Sequence, residues 1–239
     1  MNKIILSRYG IDPPIEIQEG FFATLVVEPK HIFYKYVSEL KNQIEGCTEQ
    51  NFHLILNNNT LPMDKHAFGI FDFFNLNLNS KTITNLLLKK LVDFIIRTNQ
   101  EERITNIEKN IYEIIDDFSL SSGLNIEYSE SINATALAKL CGLKISDSSL
   151  SLLEKAFNYI DLYCELLPTK ILILVFGKEF FTLDEMYQLY EHCYDKQLRL
   201  LIIENSDSYP LLQNENRLII DQDQCIITQN SALSHNIII

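Results

Sequence analysis

The chain has few basic residues and no tryptophan. Its 20 Lys and Arg stand against 32 Asp and Glu, which gives a net charge of −12. This charge disfavours non-specific adhesion to nucleic acid or to anionic membranes, unless the basic residues are gathered on one face. No apolar stretch approaches membrane-spanning length, and the stretch from Met1 to Leu6 is too short for a signal peptide. We therefore expect a cytoplasmic protein without a membrane span.

Cysteines are few and unpaired in the sequence. The five are scattered, mostly within apolar runs, and no CxxC pair occurs; they are Cys47, Cys141, Cys164, Cys193 and Cys225. This spacing disfavours a zinc site or a disulfide framework. We expect buried free thiols.

Motifs of nucleotide chemistry are missing as well. Gly177-Lys178 follows an apolar run, where a phosphate-binding loop would lie. A Walker A loop needs a Gly five residues before the second Gly and a Ser or Thr after the Lys, but these positions hold Leu172 and Glu179. No GxGxxG or GxSxG occurs, and the five histidines show no metal-ligand spacing. The residues predict a nucleotide-hydrolase topology without its chemistry.

One carboxylate set leaves a second functional class open. Asp221 and Asp223 lie at a predicted strand end and, with Glu204, are the residues that a metal-dependent nuclease or a degenerate nucleotide-binding regulator would use. Aspartate is also typical of turns between short strands, so a purely structural role is the alternative.

The clearest structural signal lies between Lys170 and Thr228. Ile171 to Phe176 is an unbroken apolar run, which predicts a strand buried on both faces, as in a parallel sheet covered by helices. Thr182 and Glu185 fit a capping box, which predicts a helix to about Cys193. Leu198 to Ile203 predicts a second buried strand, so this part should form a right-handed βαβ unit. Two shorter strands follow, at 218–221 and 225–228.

The N-terminal part predicts further α/β elements. Residues 8–18 should run extended at the surface, Phe21 to Glu28 should form a strand, and a helix starting at Pro29 should end at Gly46. Phe52 to Leu56 predicts another strand, and the polar stretch Asn57 to Thr60 suggests a domain boundary. We therefore predict an α/β head domain from residues 1–57 and 142–239, with a helical leg domain of residues 58–141 inserted into it.

The inserted segment predicts two amphipathic helices, the first capped by Ser80 and reaching Thr98, the second spanning roughly Glu102 to Phe118. Such an αα-hairpin either projects as an arm or covers the sheet. Basic residues concentrate on it, and none follows from Asn110 to Ala138. The oxygen-bearing side chains of Asn125, Glu127 and Glu130 fall in this base-free stretch. They suit Ca²⁺ or Mg²⁺ better than Zn²⁺, although acidic loops are commonly just solvated.

The order of several segments resembles the ring-forming DNA-end-binding family of type II-A CRISPR adaptation. The segments are Leu25-Val-Val-Glu28, Leu124-Asn-Ile-Glu-Tyr128, Leu140-Cys-Gly142-Leu-Lys-Ile145, Lys170-Ile-Leu-Ile-Leu-Val-Phe176, Phe181-Thr-Leu-Asp-Glu185, Leu200-Leu-Ile-Ile-Glu204 and Ile219-Ile-Asp221-Gln-Asp223. The resemblance covers about Ile17 to Thr228. It implies a recombinase-core-like head with a mostly parallel sheet and a degenerate P-loop, and an inserted helical leg. It further implies a homotetrameric ring that threads double-stranded linear DNA, Ca²⁺ as the bound ion and no catalytic activity. The CRISPR integrase complex and the type II effector nuclease are the partners to expect.

By position, Asn125, Glu127 and Glu130 match the calcium-binding patch of that family. The chain departs from the family pattern, which tends to have Asp in place of Asn125 and a further Glu where Thr135 and Ala136 stand. The affinity or number of calcium sites is therefore an open question.

Two pairs of lysines are candidates for DNA contacts. Lys139 and Lys144 flank the predicted turn at Gly142, directly after the base-free stretch. Lys89 and Lys90 on the first helix of the insertion are the alternative. Either pair could also be ordinary surface lysines. If they bind DNA, contacts to phosphates alone would make affinity independent of sequence and steeply dependent on salt.

Overall fold

The computed structural model describes residues 3–47, 50–127, 131–146 and 151–231. The chain forms two compact units, one from Met1–Leu76 with Ser149–Ile239 and the other from Asn77–Ser148. The boundaries differ from the predicted ones, since residues 58–76 belong to the first unit and residues 142–146 to the second. The physical reason at the first boundary is strand pairing, because two strands in residues 58–76 pair with strands of the first unit.

The first unit contains a six-stranded, mostly parallel sheet in the order β10-β9-β3-β8-β7-β6. Only β10 runs antiparallel to its neighbour. Its strands are β3 (Phe22–Val27), β6 (Ala67–Ile70), β7 (Ile171–Val175), β8 (Arg199–Glu204), β9 (Glu215–Ile220) and β10 (Ile226–Asn230). Every residue of β3 and β7 is buried. This confirms that β7 is a strand covered on both faces, and it confirms the strand predicted at β3, whose burial on both faces was not predicted.

A second, antiparallel sheet has the order β2-β1-β4-β5. Its strands are β1 (Ile4–Arg8), β2 (Ile11–Ile17), β4 (Phe52–Leu56) and β5 (Asn59–Leu61). The segment predicted to run extended at the surface is β2, which buries Ile11, Ile15 and Ile17. The predicted boundary at Asn57 is instead a hairpin turn. Asn57 and Asn58 both have positive φ, a conformation that asparagine tolerates in two-residue turns.

The first unit has five helices in the described residues. They are α1 (Lys30–Ile44), α2 (Met63–His66), α6 (Leu152–Leu166), α7 (Gly177–Phe180) and α8 (Leu183–Asp195). Two of them, α6 and α8, begin at capping boxes. The capping box of Thr182 and Glu185 is confirmed: the Glu185 amide donates to Thr182 Oγ1 at 3.3 Å, and the Thr182 amide donates to Glu185 Oε2 at 2.8 Å. Ser151 and Glu154 form a second capping box, which sequence analysis missed.

Two hydrophobic cores lie on opposite faces of the six-stranded sheet. Alternate residues of one strand enter different cores, as Ile173 and Leu174 do, because successive strand side chains point to opposite faces. Cys193 is buried in the second core. The prediction of buried thiols is wrong for Cys47, Cys141 and Cys225, which are exposed because they lie outside the helices and strands.

The second unit is helical. It contains α3 (Lys81–Arg97), α4 (Glu101–Ser122) and α5 (Ala134–Leu140). Ser80 caps α3 as predicted, since its Oγ accepts from the Ile83 amide at 3.4 Å. The second predicted helix is longer than expected and ends at Gly123, whose φ of +67° suits a glycine C-cap. No helix in the described parts of the chain has the length and hydropathy required to cross a membrane.

Burial within the second unit is sparse. α3 packs against α5 and buries Ile83 and Leu88, whereas no residue of α4 is buried. Ile107, Ile114 and Phe118 of α4 are 42%, 68% and 57% exposed. This helix therefore presents an apolar face to solvent.

Candidate nucleic-acid interface

The four candidate DNA-binding lysines lie in the second unit, and all four are exposed. Lys89 and Lys90 are in the middle of α3, and Lys139 lies in the last turn of α5. Lys144 follows the turn at Gly142, whose φ is +64°. A lysine in the last helical turn interacts favourably with the negative end of the helix dipole, so the position of Lys139 does not destabilise α5.

The packing of α3 on α5 places one member of each pair on neighbouring helices. A cleft of about 550 Å³ is lined by Val92 of α3 and, from α5, by the residues around its start and by Lys139. Val92 lies less than one turn after Lys89 and Lys90. The proximity of Lys139 to α3 could not be predicted from the sequence, because Lys139 is far from α3 along the chain and only the packing of α5 on α3 brings it close.

The charge on this helix pair is opposite to that of the whole protein. α3 carries Lys81, Lys89, Lys90 and Arg97 against a single acidic residue, Asp93, and the only charged residue of α5 is Lys139. Within the ranges that the structure describes, none of the four candidate lysines forms an ion pair. Their charge is therefore available to an anionic partner.

The predicted calcium ligands lie after the end of α4. Asn125 and Glu127 follow Gly123 and are exposed, and Glu130 lies outside the described residues. Glu108 of α4 is a further carboxylate of this unit, but its Oε1 already accepts hydrogen bonds from the Ile132 amide at 2.9 Å and from the Tyr112 hydroxyl at 3.0 Å. Where the structure describes the chain, no group of three His, Cys, Asp or Glu is arranged to hold a metal. The described donors are hard oxygens that suit Ca²⁺, but they do not form a complete site by themselves.

The strand order places the ligand-binding edge of the parallel sheet after β3, and not at Gly177-Lys178, where a phosphate-binding loop would have been expected from the sequence. The connection after β3 goes toward β6, whereas the one after β8 goes toward β9, so the switch point lies between β3 and β8. The residues after β3 are Glu28 and Pro29, not a glycine-rich loop. Glu28 Oε2 accepts from the Gln222 amide at 3.2 Å, so a carboxylate stands near the helix start where a phosphate would bind.

Lys178, the residue that suggested a phosphate loop, is part of a buried ion-pair network. Its Nζ lies 2.7 Å from Glu215 Oε1, and the two side chains are 5% and 0% exposed. Arg217 Nε also donates to Glu215 Oε1, at 2.8 Å, and its guanidinium reaches Asp207. Burial of the lysine, together with a carboxylate partner, gives Lys178 a structural role and keeps its charge from a ligand at the surface.

Glu204 borders the same network. Its Oε1 accepts from the Lys178 amide at 2.8 Å, and the residue is 1% exposed. Burial raises the pKa of Glu204 from 4.5 to about 7.

The residues of the alternative nuclease hypothesis have other roles. Asp221 Oδ1 accepts from the amides of Asp223 and Cys225, at 3.0 and 2.8 Å, so this aspartate stabilises the turn before β10. Glu204 is buried against Lys178. The structural interpretation of Asp221 as a turn residue therefore accounts for its contacts.

Known proteins resemble the chain at two levels. The model of the family described as CRISPR-associated protein (Cas_Csn2) matches residues 43–224. The CRISPR-associated protein Csn2 of Streptococcus agalactiae is 28% identical over 162 residues, which cover 67% of this chain and 71% of that protein.

The structural likenesses are weaker. A putative ABC transporter ATP-binding protein from Pyrococcus furiosus is 12% identical, with a TM-score of 0.35 over 90% of this chain and 96% of that one. A nucleotide-free ATP-binding cassette from an ABC transporter is 11% identical, with a TM-score of 0.44 over 97% and 92%. Scores this low carry no functional argument. The family model, by contrast, spans most of the sequence, so the chain belongs to the Cas_Csn2 family of CRISPR-associated proteins, which confirms the resemblance seen in its strands and capping box.

Proposed function

We propose that the protein is a non-catalytic component of CRISPR adaptation, the acquisition of spacers. In this proposal it forms a homotetrameric ring that holds the ends of double-stranded linear DNA without reading their sequence. The observation that carries the proposal is the set of four exposed lysines on α3, on α5 and after the turn at Gly142. They are exposed basic positions on an otherwise acidic protein.

Electrostatics explain why the lysines must be segregated. A chain of net charge −12 repels DNA as a whole, so binding requires a local positive surface that is not neutralised by its own carboxylates. Lysine is a flexible point charge that suits phosphate oxygens and carries little base specificity. In a symmetric ring each lysine occurs once per subunit. In this proposal the repeated lysines line the central hole.

Calcium is part of the proposal through Asn125, Glu127 and Glu130. The last two turns before Gly123 contain Asp116 and Asp117 and no basic residue. Because carboxylates at a helix C-terminus oppose the helix dipole, a bound cation would relieve this repulsion. The DNA contacts proposed for the lysines do not depend on the ion.

Family membership supports partners from the CRISPR system. We infer that the integrase complex and the type II effector nuclease are the proteins it meets, and that the first unit is a recombinase-core-like domain with a degenerate P-loop. The absence of a phosphate loop at both Glu28 and Gly177 supports a role without nucleotide hydrolysis.

A salt titration tests the DNA contacts. Lys139→Ala with Lys144→Ala should weaken binding to all linear duplexes alike and reduce the salt slope by roughly one for each phosphate that is no longer neutralised. Lys30→Ala with Lys35→Ala removes the same charge from the exposed surface of α1 and serves as the control. The measurement is the affinity for a short blunt duplex between low and physiological salt, with the oligomer size checked for each protein. An unchanged slope in the test variant would exclude Lys139 and Lys144 from the interface and move the contacts to Lys89 and Lys90.

The topology of the DNA separates a ring from an open surface. A ring that threads DNA from an end retains linear duplex and does not retain a closed circle of the same sequence. Equal retention of both forms at one salt concentration would contradict the ring, while leaving the lysine contacts intact.

A further inference from the structure

The six-stranded sheet ends at β10, and the hydrogen-bonding pattern shows which of its backbone groups face away from β9. The Asp221 amide donates to the Cys225 carbonyl and the Ser231 amide to the Glu215 carbonyl, at 3.1 and 3.0 Å. Because bonded and non-bonded pairs alternate in an antiparallel ladder, the bonded pairs between these ends are those of Ile227 and Gln229 with β9. The N–H and C=O groups of Ile226, Thr228 and Asn230 therefore point outward.

The other sheet edges in the described parts of the chain are protected. β2 carries Pro13 and Pro14, β5 is only three residues long, and β6 is largely buried. β10 has none of these protective features. Its sequence is Ile-Ile-Thr-Gln-Asn, which contains no proline and no charged residue, and Ile227 is 46% exposed. Natural proteins protect free strand edges against pairing, so an unprotected edge indicates a surface that is used.

The charges around β10 favour a second copy of this chain as the occupant. An antiparallel pair centred on Thr228 would place Ile226 opposite Asn230 of the second copy and would pair every outward N–H with a carbonyl. β10 itself contributes no repulsion, although the chain has a net charge of −12. The antiparallel arrangement also puts the acidic turns, with Asp221 and Asp223, at opposite ends of the pair.

We propose that β10 pairs antiparallel with β10 of a second copy around a two-fold axis at Thr228, which joins the six-stranded sheets of two first units. This inference concerns how copies of the chain assemble in the proposed function. It rests on that function only in one respect, namely that more than one copy assembles. A tetramer with two-fold symmetry needs two different interfaces, and β10 supplies one of them.

Substitutions at Thr228 test the pairing without touching the β9 ladder. Thr228→Pro removes only an outward N–H, which an edge strand tolerates, whereas the control Thr228→Val keeps the N–H and the branched shape. We expect Thr228→Val to keep the wild-type mass in light scattering and Thr228→Pro to halve it. Circular dichroism and melting temperature establish that each variant is folded.

A charge exchange keeps the test valid if the proline variant does not fold. The two-fold axis puts residue 228 opposite itself, so Thr228→Lys alone and Thr228→Glu alone place like charges together and should each reduce the assembly. Mixing the two variants in equal amounts should restore the wild-type mass. Failure of the mixture to recover, or a wild-type mass for each variant alone, overturns the inference.

The possible outcomes separate this interface from the ring. A wild-type tetramer that none of the substitutions alters overturns β10 pairing and leaves the ring standing. A wild-type dimer that Thr228→Lys splits supports β10 pairing and overturns the tetramer, and a monomer overturns both. Residues 232–239 lie outside the described residues. If their removal exposes the outward amides to hydrogen exchange at every protein concentration, the chain's own tail is the occupant and the proposal is wrong.

Discussion

Glu204 makes the stability of this protein depend on pH in the neutral range. The residue ends β8, is 1% exposed and accepts a hydrogen bond from the Lys178 amide. Its second carboxylate oxygen has no hydrogen-bond partner among the described residues. Burial therefore penalises the charged form and raises the pKa of Glu204 from 4.5 to about 7.

The sign of the effect follows from proton linkage. Between pH 4.5 and pH 7 the folded protein retains a proton on Glu204 that the unfolded chain has lost. The corresponding stability is fully present below pH 4.5 and is lost as the pH rises through 7. At about 1.4 kcal/mol per pKa unit, the loss is roughly 3 kcal/mol, or about 6–12 °C in melting temperature for a domain of this size.

Glu204→Gln removes this titration while keeping an oxygen for the Lys178 amide. We expect the variant to gain stability relative to wild type as the pH rises from 5 to 8, by roughly 2–3 kcal/mol in total. Urea unfolding, followed by circular dichroism at several pH values, measures the difference. Glu191→Gln, at an exposed position of α8 in the same unit, is the matched control and should change little. A stability difference between Glu204→Gln and wild type that stays constant from pH 5 to pH 8 would refute the reasoning.

Four other predictions have defined outcomes. Ca²⁺ should raise the melting temperature of wild type but not of Glu127→Gln with Glu130→Gln, and an equal rise in both would exclude these ligands. Lys178→Met removes one of the cations beside the buried carboxylate of Glu215 and should cost about 3 kcal/mol or more in urea unfolding, whereas a near-neutral result would contradict the ion-pair role. The purified protein should not hydrolyse ATP, and turnover that Lys178→Ala abolishes would disprove this. Thr182→Ala should cost about 1 kcal/mol because the helix cap is removed, while Thr182→Ser should retain it; equal destabilisation by both would show that the hydroxyl is not what matters.

Several predictions succeeded because their signals are local. The strand at Ile171 to Val175 follows from its unbroken apolar composition, and the helix after Thr182 follows from two side chains three residues apart. Ser80 likewise caps α3 because its own side chain accepts a hydrogen bond from an amide three residues ahead. Such signals need no knowledge of the rest of the chain.

Other features depended on which distant segments meet. β4 is a strand as predicted, but its place in a separate antiparallel sheet depends on pairing with β1, which sequence analysis did not identify. Lys178 resembled a phosphate-loop residue, yet its partner Glu215 lies 37 positions away and turns it into a buried ion pair. The switch point after β3 became visible only once the strand order was known.

The sequence by itself determined the α/β class, the buried parallel strands, the long helices, the missing phosphate loop and the family. These depend on composition, spacing and caps within a few residues of one another. The tertiary structure decided the unit boundaries, the position of Lys139 beside α3, the burial of Lys178 and Glu204, and the free edge of β10. These depend on long-range pairing, because the charge state, exposure and partners of a side chain are set by the segments that fold against it.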